Sequence, residues 1–153
     1  MNAFREQLPI FLVGAACRLP GAVDEKTFRE LLYEERCSVQ QRPIGRWNIA
    51  RSLHSSPTEP GFSYSFAGGY LADPFAFDPS VFGVSPREAA QMDPQQRLLL
   101  EVVYEALEDA RLPWTGLTGK EVGVYVGASS LDYGNLHAAD PASIDSYFMT
   151  GNT

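Results

Sequence analysis

Cysteine and histidine are scarce in this 153-residue chain, with two of each. Cys17 and Cys37 have no C-x-x-C spacing, so they make neither a disulfide framework nor a zinc-ligand pattern. They read as packed thiols in a reducing, cytoplasmic setting. Basic residues are also short. Twelve Lys and Arg against nineteen Asp and Glu leave a net charge of −7, which excludes the basic face that nucleic acid or an anionic membrane surface requires. No apolar run approaches the roughly 20 residues needed to cross a bilayer, the longest being Ile10 to Cys17. A leader peptide is disfavoured as well. Arg5 is cancelled by Glu6, the apolar stretch is at the short limit, and Gly14 stands where a lipoprotein box has a large aliphatic residue. Walker and Rossmann glycine patterns are missing too.

What is present centres on Ser85 to Leu112. Ser85, Pro86 and Glu88 form a capping-box pattern for a short helix over 86–91. Asp93, Pro94 and Gln96 then start a second helix at once. From Pro94 onward, Leu98, Leu99, Val102, Val103, Ala106, Leu107 and Ala110 share one arc of about half the wheel, with Arg97, Glu101, Glu105 and Glu108 opposite. Such an arc predicts burial against more than one neighbour, as in the central strut of a layered α/β domain. Arg111 occupies the position where a glycine C-cap is expected.

Around this strut, Pro9 to Val13 and Glu121 to Gly127 read as strands buried on both faces. Asp24 caps an amphipathic helix reaching about Glu35. Residues 38–83 carry prolines, glycines and many aromatics, which predicts an ordered excursion wrapping the core. Asp140 and Pro141 begin a last helix, and the chain stops at Thr150-Gly151-Asn152-Thr153 without a closing element. The resulting order predicts an α/β fold with a parallel sheet.

Three constellations could carry chemistry. Gly127-Ala128-Ser129-Ser130-Leu131 approaches the G-x-S-x-G nucleophile elbow but lacks its last glycine, and Asp132 and His137 follow within a turn, too near for a serine hydrolase triad. Cys17 with His54 or His137 could form a thiol and base, although nothing in the spacing joins them. Arg87, Arg97 and Glu101 read as a solvated or ion-paired face.

In order along the chain, VGAACRLPGA (13–22), GRW (45–47), GGYLADPFAFDPSVFGVSPREAAQMDPQQRLLLEVVYEALEDA (68–110), GVYVGASSLDY (123–133) and TGNT (150–153) resemble the opening of a type I modular polyketide synthase ketosynthase. The FGVSPREA and DPQQRLLLE segments are the most specific. Departures are Ala15 for methionine, Arg29 for tryptophan and Arg111 for glycine.

The resemblance implies a thiolase-like fold, the N-terminal portion of a layered αβαβα domain. Residues 9–153 form that portion, and residues 1–8 form an N-terminal extension too short for a docking coiled coil, so the parent protein is expected to begin here. It further implies decarboxylative Claisen condensation between a cysteine-held acyl group and a malonyl-type extender carried on acyl carrier protein phosphopantetheine. The complete domain is expected to be a homodimer working with the rest of the synthase. The family's nucleophile lies in a T-A-C-S-S context and its histidines in E-A-H-G-T-G and N-x-G-H contexts, none of which occurs here. Cys17 matches the ACRLPG motif instead, so no catalytic residue is carried over. Gly127, Ala128 and Ser129 are implied at the mouth of the acyl pocket, where small side chains leave room for substrate. The alternatives are a non-catalytic remnant or interaction module and, more distantly, a small serine hydrolase.

Overall fold

The first three helices of this protein begin where the sequence supplies an acceptor for free backbone N–H groups. The computed structural model describes residues 9–41, 48–130 and 132–152. Helix α1 spans Glu25–Tyr33, with Asp24 accepting the Thr27 N–H at 2.7 Å while Thr27 Oγ1 accepts the Asp24 N–H at 3.2 Å. Helix α2, Pro86–Gln91, is capped by Ser85, whose Oγ accepts the Glu88 N–H at 3.1 Å. Met92 turns the chain into an extended conformation, and α3, Pro94–Asp109, starts on Asp93, which accepts the Gln95 N–H at 2.8 Å. Sixteen residues make α3 a rod of about 24 Å. Helix α4, Asp132–Ala138, replaces the expected turn in that stretch. A 3₁₀ turn at Pro141–Ser143, capped by Asp140, and the short α5, Phe148–Gly151, complete the chain.

Two helices stop in the same way. After α3, Arg111 adopts φ 55°, its N–H bonds Glu108 O at 2.9 Å, and the Leu112 N–H bonds Leu107 O at 2.9 Å. After α1, Glu35 adopts φ 51° with matching bonds from Glu35 to Leu32 and from Arg36 to Leu31. Both are Schellman endings in which a residue with a Cβ holds the left-handed position that glycine occupies without strain. The left-handed conformation costs a non-glycine residue about 1–2 kcal/mol, and glycine's greater unfolded-state freedom offsets part of the gain. Arg111→Gly should therefore stabilise the chain by about 0.5–1 kcal/mol, read as a raised denaturation midpoint.

Three segments dock on α3. Gly14 lies against its C-terminal half, where an added Cβ would meet Ala106 O at 2.3 Å and the Ala110 Cβ at 2.8 Å. The Ala15 N–H donates to Asp109 at 3.0 Å, and Arg18 forks onto both carboxylate oxygens of Glu105 while also donating to Val23 O at 2.7 Å. The excursion over 48–83 reaches the helix through Phe82, stacked on Phe77 at 5.3 Å and edge-on to Tyr104 at 6.3 Å. The tail closes on the α2–α3 junction. Asp93 N–H donates to Gly151 O at 2.7 Å, and the Asn152 amide donates to Gln91 O and Phe148 O. A Cβ on Gly151 would lie 2.5 Å from Gln91 O.

The two expected core strands do not form among the described residues. Residues 9–13 and 121–127 have no regular structure and pair with no strand among the described residues, with Ile10 99%, Leu12 88%, Val124 80% and Tyr125 96% exposed. The sheet found among the described residues is one antiparallel pair, β1 (Val39–Gln40) with β2 (Gly68–Gly69), not a parallel sheet. A strand buried on both faces needs hydrogen-bonded neighbours and covering layers, and the described residues supply neither to these two segments. The helical arc is corrected likewise. Leu99 and Val103 are 38% and 48% exposed, whereas Arg97, assigned to the solvent side, is only 8% exposed. The whole chain exposes 12390 Å², against about 7,700 Å² for a compact monomer of its mass. The expectations for residues 1–8, for GRW at 45–47, for Leu131 and for Thr153 lie outside the described residues.

Candidate functional site

The segment Gly127-Ala128-Ser129-Ser130 precedes α4 in the chain and meets the start of α3 through Gln95. Gly127, Ala128 and Ser129 are exposed, and the space a Cβ would take on Gly127 is empty to 4 Å. Ser130 has φ 109°, its hydroxyl donates to Asp132 at 2.6 Å, and its carbonyl accepts from the Gln95 amide at 3.3 Å. Gln95 also leans on the Asp93 carboxylate, so the exit is held to the α3 cap by a polar chain. The bond to Asp132 is made by Ser130, not by Ser129 as an elbow nucleophile would require. His137 sits further along α4, packed on Tyr133 at 4.8 Å and Phe148 at 6.4 Å. These residues form a helix start and an aromatic cluster, and the geometry does not assemble a Ser-His-Asp relay.

Cys17 is not an activated thiol. Partial burial raises its pKa, the Asp24 carboxylate raises it further, and Arg18 opposes both less strongly, being already engaged by Glu105. Cys37 is exposed beyond the C-terminal end of α1. His54 stands in its own setting, accepting the Ser56 N–H at 3.2 Å and tilted on Phe62 at 5.6 Å.

Of the three residues read as a polar face, Arg87 pairs with Asp145 at 2.8 Å, and burial raises the Glu101 carboxyl above its usual range. Arg97 behaves differently. It runs under the loop at 73–77, donates to Phe75 O at 3.3 Å, and lies 5.9 Å from the centre of the Tyr133 ring. Its Nε is buried with no acceptor. Sequence periodicity missed this role because α4 and the loop cover the wheel's polar side only after tertiary folding.

A separate apolar groove of about 510 Å³ runs along α3 between Val81, Phe82, Leu100, Val103, Leu107 and Trp114. It shares no lining residue with the Gly127–Ser129 exit and carries no titratable group beyond the Tyr104 phenol, so it is a packing surface.

Residues 7–153 match the family model described as "Beta-ketoacyl synthase, N-terminal domain". The chain belongs to the β-ketoacyl synthase family. Similar curated proteins are polyketide synthases. A phenolphthiocerol/phthiocerol polyketide synthase of Mycobacterium tuberculosis is 41% identical over 94% of this chain, which spans 9% of that protein. Erythronolide synthase EryA2 of Saccharopolyspora erythraea is 39% identical over 100% of this chain, which spans 4% of it. Among solved structures, the oxazolomycin ketosynthase domain OzmH KS7 of Streptomyces albus superposes with a TM-score of 0.79 at 37% identity, over 86% of this chain and 23% of that one. The module 6 ketosynthase of the Bacillus subtilis bacillaene synthase gives 0.72 at 29% identity, over 90% and 23%.

The ketosynthase chain thus has part of a thiolase-like α/β fold, and it spans about a quarter of the solved ketosynthase chains. No ketosynthase helix among the described residues is long and apolar enough to cross a membrane.

Proposed function

We propose that this chain is the N-terminal scaffold of a polyketide ketosynthase whose complete domain performs decarboxylative Claisen condensation. In that reaction a cysteine thioester holds the growing acyl chain. A malonyl-type extender, tethered to the phosphopantetheine of an acyl carrier protein, loses carbon dioxide and attacks the thioester carbonyl. Residues 9–153 supply the scaffold, and Gly127, Ala128 and Ser129 border the acyl pocket, their small side chains and open surroundings leaving room for substrate. The complete domain acts in the cytoplasm as a homodimer within a larger synthase.

The observation that carries this reading is the fold likeness at 37% identity, joined to a chain whose one half-buried thiol, Cys17, is shifted away from the thiolate. An acyl acceptor needs a thiolate with donors aimed at the developing oxyanion. The purified chain incubated with a short acyl thioester should show no mass increment on intact protein. Extension with the remainder of a ketosynthase domain should restore one acyl group per chain. Stoichiometric acylation of the unextended chain, lost in Cys17→Ser alone, would make Cys17 the nucleophile and overturn the reading.

A further inference from the structure

We propose that Arg97 is a positioning residue for the Gly127–Ser129 segment, acting through Tyr133 of α4, and that it thereby sets which acyl groups the pocket admits. The proposal rests on the ketosynthase reading above, which makes those three residues a border of the acyl pocket, and it names the side chain that holds the border in place.

Arg97 is costly where it stands. It is 8% exposed, and no carboxylate among the described residues forms an ion pair with it. Packing alone does not call for such a group, since an apolar side chain of similar volume fills a buried site without the cost of desolvating a charge. What the guanidinium adds is direction. Its Nη1 donates to Phe75 O at 3.3 Å, in the loop at 73–77, and its centre lies 5.9 Å from the middle of the Tyr133 ring, whose π face attracts a cation. One side chain of α3 thus fixes a loop and α4 together.

Tyr133 carries that placement towards the border. Its hydroxyl donates to Ala90 O at 2.9 Å, in α2, and its ring packs edge-on to His137 at 4.8 Å. Ser130 is tied to the same helix start, its hydroxyl donating to Asp132 at 2.6 Å while its carbonyl accepts from Gln95 at 3.3 Å. Gly127, Ala128 and Ser129 are themselves exposed, and residues 121–126 before them have no regular structure, so the ties at 130–133 locate the border. A border that moves disturbs a long acyl chain more than a two-carbon one, because more of the long chain lies against it. Misplacement by about 1 Å is enough to cost up to about a hundredfold in rate.

The test uses this chain extended with the remainder of a ketosynthase domain, acylated in parallel with acetyl and hexanoyl thioesters. Arg97→Met should lower the ratio of hexanoyl to acetyl rates by about tenfold. Arg97→Lys keeps a cation over the ring and should hold the ratio within about threefold of the parent. Tyr133→Leu should match Arg97→Met, and the double variant should fall no further, since both changes remove one contact. An equal loss for both acyl groups, following a lowered melting midpoint, would leave Arg97 a structural residue and overturn the proposal. The unextended chain gives a second readout, with nitroxide labels on Ala128→Cys and Lys26→Cys in a Cys17→Ser, Cys37→Ser background. Arg97→Met should broaden or shift the distance distribution between the labels, and Arg97→Lys should restore it; an unchanged distribution in Arg97→Met would also overturn the proposal. Extended protein that takes no acyl group would count against the ketosynthase reading, whereas the label distances judge Arg97 independently of it.

Discussion

Gly14→Ala should release the first extended segment from α3 and destabilise the protein by about 2–3 kcal/mol, as expected for forcing a methyl group into a filled contact. The added Cβ would lie 2.3 Å from Ala106 O and 2.8 Å from both the Ala110 Cβ and the Ala110 N, so the obstruction is largely backbone and cannot rotate aside. Once Gly14 lifts, the Ala15 N–H loses Asp109, and the fork from Arg18 to Glu105 has to stretch. Amide exchange reports this directly. Protection at Ala15 should fall by about a hundredfold, the factor matching that free energy. Gly127→Ala is the control, since nothing lies within 4 Å of its Cβ position, and it should change stability by no more than about 0.5 kcal/mol. Unchanged exchange at Ala15 in Gly14→Ala would show that the close approach to α3 is not a stabilising contact.

Arg97→Ala should cost about 2–4 kcal/mol, in the range of large-to-small substitutions at buried positions. The truncation empties the space beneath the 73–77 loop, removes the donor to Phe75 O, and takes the cation off the Tyr133 ring. Arg97→Met should cost much less, about 1 kcal/mol or below. Methionine keeps most of the volume and removes a desolvated charge whose Nε has no acceptor, and apolar replacement of a buried charge is often neutral or stabilising. Urea unfolding of the two variants separates packing from polarity. If Met proves as damaging as Ala, the bond to Phe75 and the ring contact, more than side-chain volume, hold loop, α3 and α4 together.

The sequence was most legible where the physics is local. Asp24, Ser85 and Asp93 announced three helix starts because a side-chain acceptor two or three residues ahead of a free N–H needs no tertiary help. Arg111 stood where a glycine C-cap was expected, and only the coordinates show it held at a positive φ. The aromatic content of 48–83 announced an ordered excursion, and the stack of Phe77 on Phe82 against Tyr104 is how it packs. The family could be read from FGVSPREA, DPQQRLLLE and the motifs around them, which the match over residues 7–153 supports.

The candidate site was less legible. Gly127, Ala128 and Ser129 could be named from their motif, but the polar chain from Asp93 through Gln95 to the Ser130 carbonyl joins residues 35 positions apart. The elbow-like serine pattern also pointed one residue away from the hydroxyl that bonds Asp132. A motif gives residue types, whereas the backbone angle at Ser130 decides which hydroxyl faces the helix start.

By itself, then, the sequence determined the starts of α1, α2 and α3, the family and the lack of a recognisable catalytic cysteine motif, because capping and short motifs are encoded within a few residues of one another. Only the tertiary structure decided that Arg97 is buried while Leu99 and Val103 are open, that Gly14 and Gly151 are contact points on α2 and α3, and that the apolar stretches 9–13 and 121–127 stand unpaired. Hydrophobicity specifies that a segment should be covered. Whether anything within the chain covers it depends on which surfaces meet in space, and here much of the apolar surface meets none.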